Sequence, residues 1–155
     1  MKTLAMLAAA ATIGIATPSH ADFSLFSMFA PQPHIVAKVS ISQQTMDVTV
    51  VDGHGQPTTY NWKVSTGRTG FDTPTGEFHP TWLDKDHVSK TYEDAKMPYA
   101  VFFNEGYAIH ATDAVWRLGH EASHGCVRLA PQNAELFFDM VKTYGKWNTK
   151  IVITD

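Results

Sequence analysis

Between residues 35 and 64 an apolar side chain returns at every second position. Ile35, Ala37, Val39 and Ile41 form one series, Met46, Val48 and Val50 a second, and Tyr60, Trp62 and Val64 a third, mostly with polar residues between them. A period of two belongs to the pleated strand, in which successive side chains face opposite sides of a sheet. The interruptions are short: Ser42-Gln43-Gln44, then Asp52-Gly53-His54-Gly55, whose glycines suit turns that need positive φ. The spacing predicts three strands in a meander with one buried face, and it excludes an all-helical fold.

The remaining segments add to that sheet. Residues 65–78 hold Gly67, Gly70, Pro74 and Gly76 and read as a shaped loop. Residues 79–97 form a polar tract containing Trp82, His87 and Tyr92; at that length the expectation is a lid or a variable surface loop. Residues 99–103 and 107–110, joined by Asn104-Glu105-Gly106, read as a hairpin whose second strand ends at His110. Ala134, Phe137, Phe138, Val141 and Tyr144 recur at helical spacing, with Pro131 early and Gly145 just beyond, so Pro131–Tyr144 is the one predicted helix. A short strand at 150–154 closes the sequence. The expected fold class is mainly β, sandwich-like, with one main C-terminal helix and a long loop. Trp62, Trp82, Trp116 and Trp147 are expected in core or groove packing.

Composition narrows the function. With 12 basic against 15 acidic residues the 155-residue chain has a net charge of −3, and its cations are scattered, so there is no footprint for nucleic acid. Lys2, an uncharged run over residues 4–16, and Ser19-His20-Ala21 have the pattern of a secretory signal peptide cut after Ala21. The alternative is a membrane anchor, but the run is shorter than the ~20 residues a spanning helix needs, and no stable membrane span is expected. Residues 1–21 are therefore read as a signal peptide, 22–34 as an N-terminal arm or tether with Pro31 and Pro33, and 35–155 as the folded domain.

Export gives the single cysteine its meaning. An oxidising compartment pairs most thiols, yet Cys126 has no partner in the chain. It is either buried and inert or retained for its chemistry. It stands in Ser123-His124-Gly125-Cys126-Val127-Arg128-Leu129, and His110 lies 16 residues upstream. Histidine is the side chain best suited to take a thiol proton near neutral pH. Gly125 allows close backbone approach and can turn N–H groups toward an oxyanion. Arg128 has the planar fork that binds a carboxylate, and alternation in an extended segment puts it on the same face as Cys126. The hypothesis is a cysteine–histidine acyl transferase. The competing reading gathers His110, His120, His124 and Cys126 around zinc, although the spacing lacks the paired ligand pattern of a metal motif. His34, His54, His79 and His87 read as surface histidines.

With these residues in view, the sequence resembles the L,D-transpeptidase catalytic domain of the YkuD type. The Ser123–Leu129 tract carries the resemblance, together with Val64-Ser65-Thr66-Gly67, Thr73-Pro74-Thr75-Gly76-Glu77-Phe78, and Met97-Pro98-Tyr99 continuing through Phe102-Phe103-Asn104 to Gly106-Tyr107-Ala108-Ile109-His110. The resemblance implies Cys126 as nucleophile and His110 as base, oriented by the Ala111 carbonyl. It implies Ser123, His124 and Gly125 as oxyanion and positioning residues, and Arg128, Tyr99 and Phe103 as substrate-binding residues, with Arg128 contacting substrate in preference to bracing its loop. It implies no cofactor and no metal. The donor would be a peptidoglycan tetrapeptide stem cleaved between diaminopimelate and D-alanine, and the acceptor an amine of a second stem, a D-amino acid or a lipoprotein lysine. Water as acceptor would make the same site an L,D-carboxypeptidase. The implied location is the periplasm of a Gram-negative bacterium. A non-catalytic wall-binding or metal-binding module is the alternative from another class.

Overall fold

A computed structural model describes residues 32–53, 56–91 and 95–155. The expected signal peptide and most of the expected arm lie outside these residues. The three alternating series become β1 (His34–Ser40), β2 (Thr45–Val51) and β3 (Thr58–Lys63), an antiparallel meander. The tract read as a shaped loop ends in β4 (Gly76–Phe78), and β9 (Thr149–Thr154) enters between β1 and β4. The five-stranded sheet has the order β3-β2-β1-β9-β4, with β9 parallel to β1.

The second sheet has the order β5-β6-β7-β8, formed by Trp82–Val88, Lys96–Asn104, Tyr107–Ala111 and Val127–Leu129. The tract 79–97, expected as one long loop, therefore contains strand β5, and the connection proper narrows to residues 89–95. In β5 Trp82, Lys85, Asp86 and Val88 are exposed and no residue is buried. An edge strand wet on both faces has no reason to alternate, so its periodicity is silent.

Helix α1 (Pro131–Tyr144) starts with Pro131 in its first turn. At its end the Gly145 N–H donates to the Val141 carbonyl. It buries Ala134, Phe137, Phe138 and Val141 against β6 and β7. A side chain such as Phe137, fully buried, contributes on the order of 1.5–3 kcal/mol. Both sheets and α1 share one core, in which Ile35, Val39 and Ile151 of one sheet meet Val101, Ile109 and Leu129 of the other. Trp62 joins it, whereas Trp116 and Trp147 are 75% and 83% exposed, so neither belongs to core packing.

Candidate active site

The four-stranded sheet turns one face to this core and the other to a groove. Val127 and Leu129 are buried in the core while Cys126 and Arg128, alternating with them, face outward. Strands β7 and β8 run parallel with Ile109 opposite Val127 and His110 opposite Arg128. This register brings His110 and Cys126 to the same face of neighbouring strands. Cys126, His110, His124 and Arg128 all line one cavity of about 380 Å³. Met97 and Pro98 of β6 and Thr112–Ala114 after β7 form other parts of its wall. Cys126 and His124 also border a second cavity of about 190 Å³ beside Gly106 and Tyr107. Ser89 and Met97 line both cavities, so both ends of the β5–β6 connection border the space around Cys126.

His110 is 6% exposed. Its Nδ1 lies 2.7 Å from the Ala111 carbonyl, which can only accept, so Nδ1 carries the proton and Nε2 is left as the basic nitrogen. Burial pulls its pKa down to about 4, with the charges of Arg128 and His87 acting in the same direction and the Ala111 hydrogen bond opposing them. The methyl of Ala111 points into the core, so this residue serves the site through its backbone alone. Burial pushes the Cys126 thiol up, against a backbone N–H from Ala108 and the charge of Arg128, which favour the thiolate. The resting pair is thus a neutral thiol beside a neutral imidazole. This differs from the preformed thiolate that an activated cysteine suggests: desolvation outweighs the nearby donors and cation.

The loop before Cys126 is held by hydroxyls. Ser123 Oγ donates to the Cys126 carbonyl at 2.6 Å and accepts from the Gly125 N–H at 3.0 Å. That bond corrects one expectation: the Gly125 N–H is already engaged and does not point at an oxyanion. Gly125 is required for shape. Its φ is 106°, and a Cβ there would meet the Tyr107 ring at 2.4 Å. Thr73 Oγ1 accepts from the Gly67 N–H and donates to the Gly125 carbonyl, each at 2.9 Å, stitching the β3–β4 loop to the cysteine loop. Gly67 admits no side chain because a Cβ would lie 1.9 Å from the Phe71 carbonyl oxygen. Ser65 and Arg128 exchange backbone hydrogen bonds at 3.0 and 2.9 Å, fixing β8 from the same loop. Sequence reasoning does not single out Thr73, Tyr107 or the Ala108 N–H. The signal each leaves is its place in a tract of the family resemblance, Thr73 opening Thr-Pro-Thr-Gly and Tyr107-Ala108 preceding Ile109-His110, with no role attached.

Arg128 spends one of its five donors on the Ala122 carbonyl, at 3.3 Å, and faces the cavity beside Cys126. It both braces the loop and borders the space where substrate would lie. Tyr99 and Phe103 do not join the groove. The Phe103 ring is 3% exposed in the core, 5.2 Å from Phe78. The Tyr99 hydroxyl donates to Glu135 of α1 at 2.7 Å and its ring packs on Phe138. Alternation from Val101 sends both to the helix side, and Phe102 is the β6 aromatic on the groove face, in the cluster that Cys126 packs against. Trp82 stacks flat on Phe102 at 4.1 Å, and His87, paired with Asp84 at 3.0 Å, meets both rings edge-on. His120 is exposed on the loop after the short 3-10 helix at Val115–Arg117. Among the described residues, no group of three or more His, Cys, Asp or Glu side chains is placed to hold a metal ion.

Comparison with known proteins agrees with this geometry. Residues 34–153 match the YkuD family, the L,D-transpeptidase catalytic domain. The chain is 30% identical over 104 residues to the probable L,D-transpeptidase YbiS of Escherichia coli K12, a match covering 56% of this chain and 31% of that protein. Among solved structures, an L,D-transpeptidase from Mycobacterium smegmatis superposes with a TM-score of 0.66 at 23% identity, over 79% of this chain and 59% of the other. One from Stackebrandtia nassauensis gives 0.66 at 24%, over 86% and 62%. L,D-transpeptidase 3 from Mycobacterium tuberculosis, in complex with a faropenem-derived adduct, gives 0.66 at 23%, over 79% and 61%. The chain thus matches about a third of the curated relative and about three-fifths of the solved chains; the structural likenesses concern the fold.

Proposed function

Because the chain belongs to the YkuD family of L,D-transpeptidase catalytic domains, we propose that it is an exported cysteine acyl transferase acting on peptidoglycan stem peptides. The observation that carries this reading is the pairing of Cys126 with His110 in one cavity, the imidazole held by Ala111 with its basic nitrogen unprotonated. His110 Nε2 takes the thiol proton as the sulfur attacks the diaminopimelate carbonyl. The resulting oxyanion is received at the backbone N–H of Cys126 beside His124, and the Ala108 N–H and Arg128 favour negative charge at the sulfur as the proton leaves. Collapse breaks the diaminopimelate–D-alanine amide, and His110 returns the proton to the departing amine, leaving a thioester on Cys126. An acceptor amine then gives a proton to His110 and attacks the thioester; the thiol is reprotonated on release. Water in place of the amine gives L,D-carboxypeptidase activity from the same atoms.

Among the described residues no helix is long and apolar enough to cross a membrane. With the signal-like segment at residues 1–21, action in the periplasm of a Gram-negative bacterium is the corresponding location. Incubation with purified muropeptides, analysed by mass spectrometry, tests the proposal. Loss of D-alanine from tetrapeptides with formation of 3–3 linked dimers, amine adducts or tripeptides is expected. Unchanged muropeptides would refute it. Faropenem is expected to add covalently to Cys126, read as an intact-mass shift absent from Cys126→Ser.

A further inference from the structure

A second cation that the chemistry above does not use is joined through Phe71 to His124, a residue of the cavity wall. The Arg68 guanidinium lies over the Phe71 ring, 4.4 Å from its centroid, and the Phe71 ring meets the His124 imidazole edge-on at 4.8 Å. The Arg68 backbone is fixed as well, its N–H donating to the Ser123 carbonyl at 3.1 Å, and Gly67 forms a bridge with Ser123. Arg68 is therefore tied at both ends to the loop that presents the nucleophile. Its charge is felt inside the site: desolvation, then Arg68 and Arg128, disfavour protonation of His124, and at Arg128 desolvation, then Arg117 and Arg68, disfavour the charge against an opposing contribution from Cys126. Arg68 and Arg128 thus place two guanidiniums on segments bonded to the cysteine loop, Arg68 through Ser123 and Arg128 through Ala122. Among the described residues neither forms an ion pair with a carboxylate. Asp72, close in sequence, and Asp113, on the cavity wall, are exposed and bridge to neither.

We propose that Arg68 is a donor-specificity residue, which with Arg128 clamps the two carboxylates flanking the scissile bond and selects stems in which both are free. The inference rests on the acyl-donor reading above and deepens it. A tetrapeptide stem carries one carboxylate on the diaminopimelate side chain and one on the terminal D-alanine. One guanidinium per carboxylate satisfies both and fixes the bond between them over Cys126. Stacking on Phe71 restricts the Arg68 side chain before the ligand arrives, which lowers the entropy lost on binding. Amidation of either carboxylate removes one partner and leaves one cation unmatched.

The test is calorimetric binding to Cys126→Ser, which holds the donor without turnover. The probes are a tetrapeptide stem with both flanking carboxylates free and two stems amidated at one or the other. In that background Arg68→Gln is expected to weaken the free stem about fivefold, the range of an exposed charge pair, while Arg68→Lys costs less than about twofold. Amidation at the carboxylate that Arg68 contacts is expected to erase the effect of Arg68→Gln, whereas amidation at the other preserves it. Both substitutions keep the backbone bond to Ser123, so melting temperature is expected to stay unchanged. Equal weakening of all three stems, or no weakening, overturns the inference. Turnover of the same stems by enzyme retaining Cys126, with and without Arg68→Gln, is scored separately: Arg68-dependent binding without turnover would overturn the chemistry and retain the clamp, and turnover indifferent to Arg68 would do the reverse.

Discussion

The two faces of strands β6, β7 and β8 come from the same short stretches of sequence and have opposite duties. One face carries Val101, Phe103, Ile109, Ala111, Val127 and Leu129, all in the main core. The other carries His110, Cys126 and Arg128, which line a cavity, beside a small buried cluster of Ala100, Phe102 and Ala108. Residues one position apart thus answer to different constraints, volume on one side and chemistry on the other. The difference predicts that substitutions on the core face change stability at nearly constant chemistry, and that those at Cys126 and Arg128 change chemistry at nearly constant stability.

Four experiments can break or sharpen that division. Cys126→Ser should reduce product to background while shifting the unfolding midpoint little; residual turnover above background would contradict the nucleophile. Ile109→Ala, one residue from the base but facing the core, should cost about 2–5 kcal/mol in denaturant unfolding. Its folded fraction should keep kcat within a few-fold, and a collapse of kcat in folded protein would show that the faces are not separable. His110 lies on both sides of the division, because its burial makes it a stability residue in acid. Its pKa is near the ordinary ~6.5 in the unfolded chain and about 4 in the folded one, so between these values the unfolded chain binds more protons. Its contribution is complete above pH ~6.5 and is lost as pH falls toward 4, by up to about 3 kcal/mol. His110→Gln should flatten that slope in urea titrations across pH and lower acylation by a factor of ~10² or more. Arg128→Lys should give the smallest change, about 1–3 kcal/mol in kcat/KM on the tetrapeptide. Because Arg128 also holds the Ala122 carbonyl, part of the loss should persist on an amidated donor.

The same division explains what can be read from the sequence. Buried faces write themselves as periodicity: β1, β2, β3, the β6–β7 hairpin and α1 are legible because each alternates or recurs against the core. Strand β5 is not, since Asp84, Lys85, Asp86 and His87 sit on an edge where no face is buried. The family resemblance points Tyr99 and Phe103 toward substrate, although the alternation that buries Val101 sends them the same way. The insertion of β9 between β1 and β4 is a long-range choice that no local pattern records. At the site, Cys126, His110 and Gly125 are legible because their chemistry resides in residue type. The Ala108 N–H is a backbone group of an ordinary residue, and the Tyr107 ring matters only through its contact with Gly125. Such partners exist only once the chain is folded.

The Thr73 hydroxyl has a consequence for the order in which the molecule is made. It joins Gly125 to a residue 52 positions earlier, so the shape that Ser123 and Gly125 give the cysteine loop is completed only by closure of a long segment. Contacts of such separation form late, after local turns and hairpins. On the acyl-transfer reading proposed above, reactivity at Cys126 therefore arrives together with the completed fold.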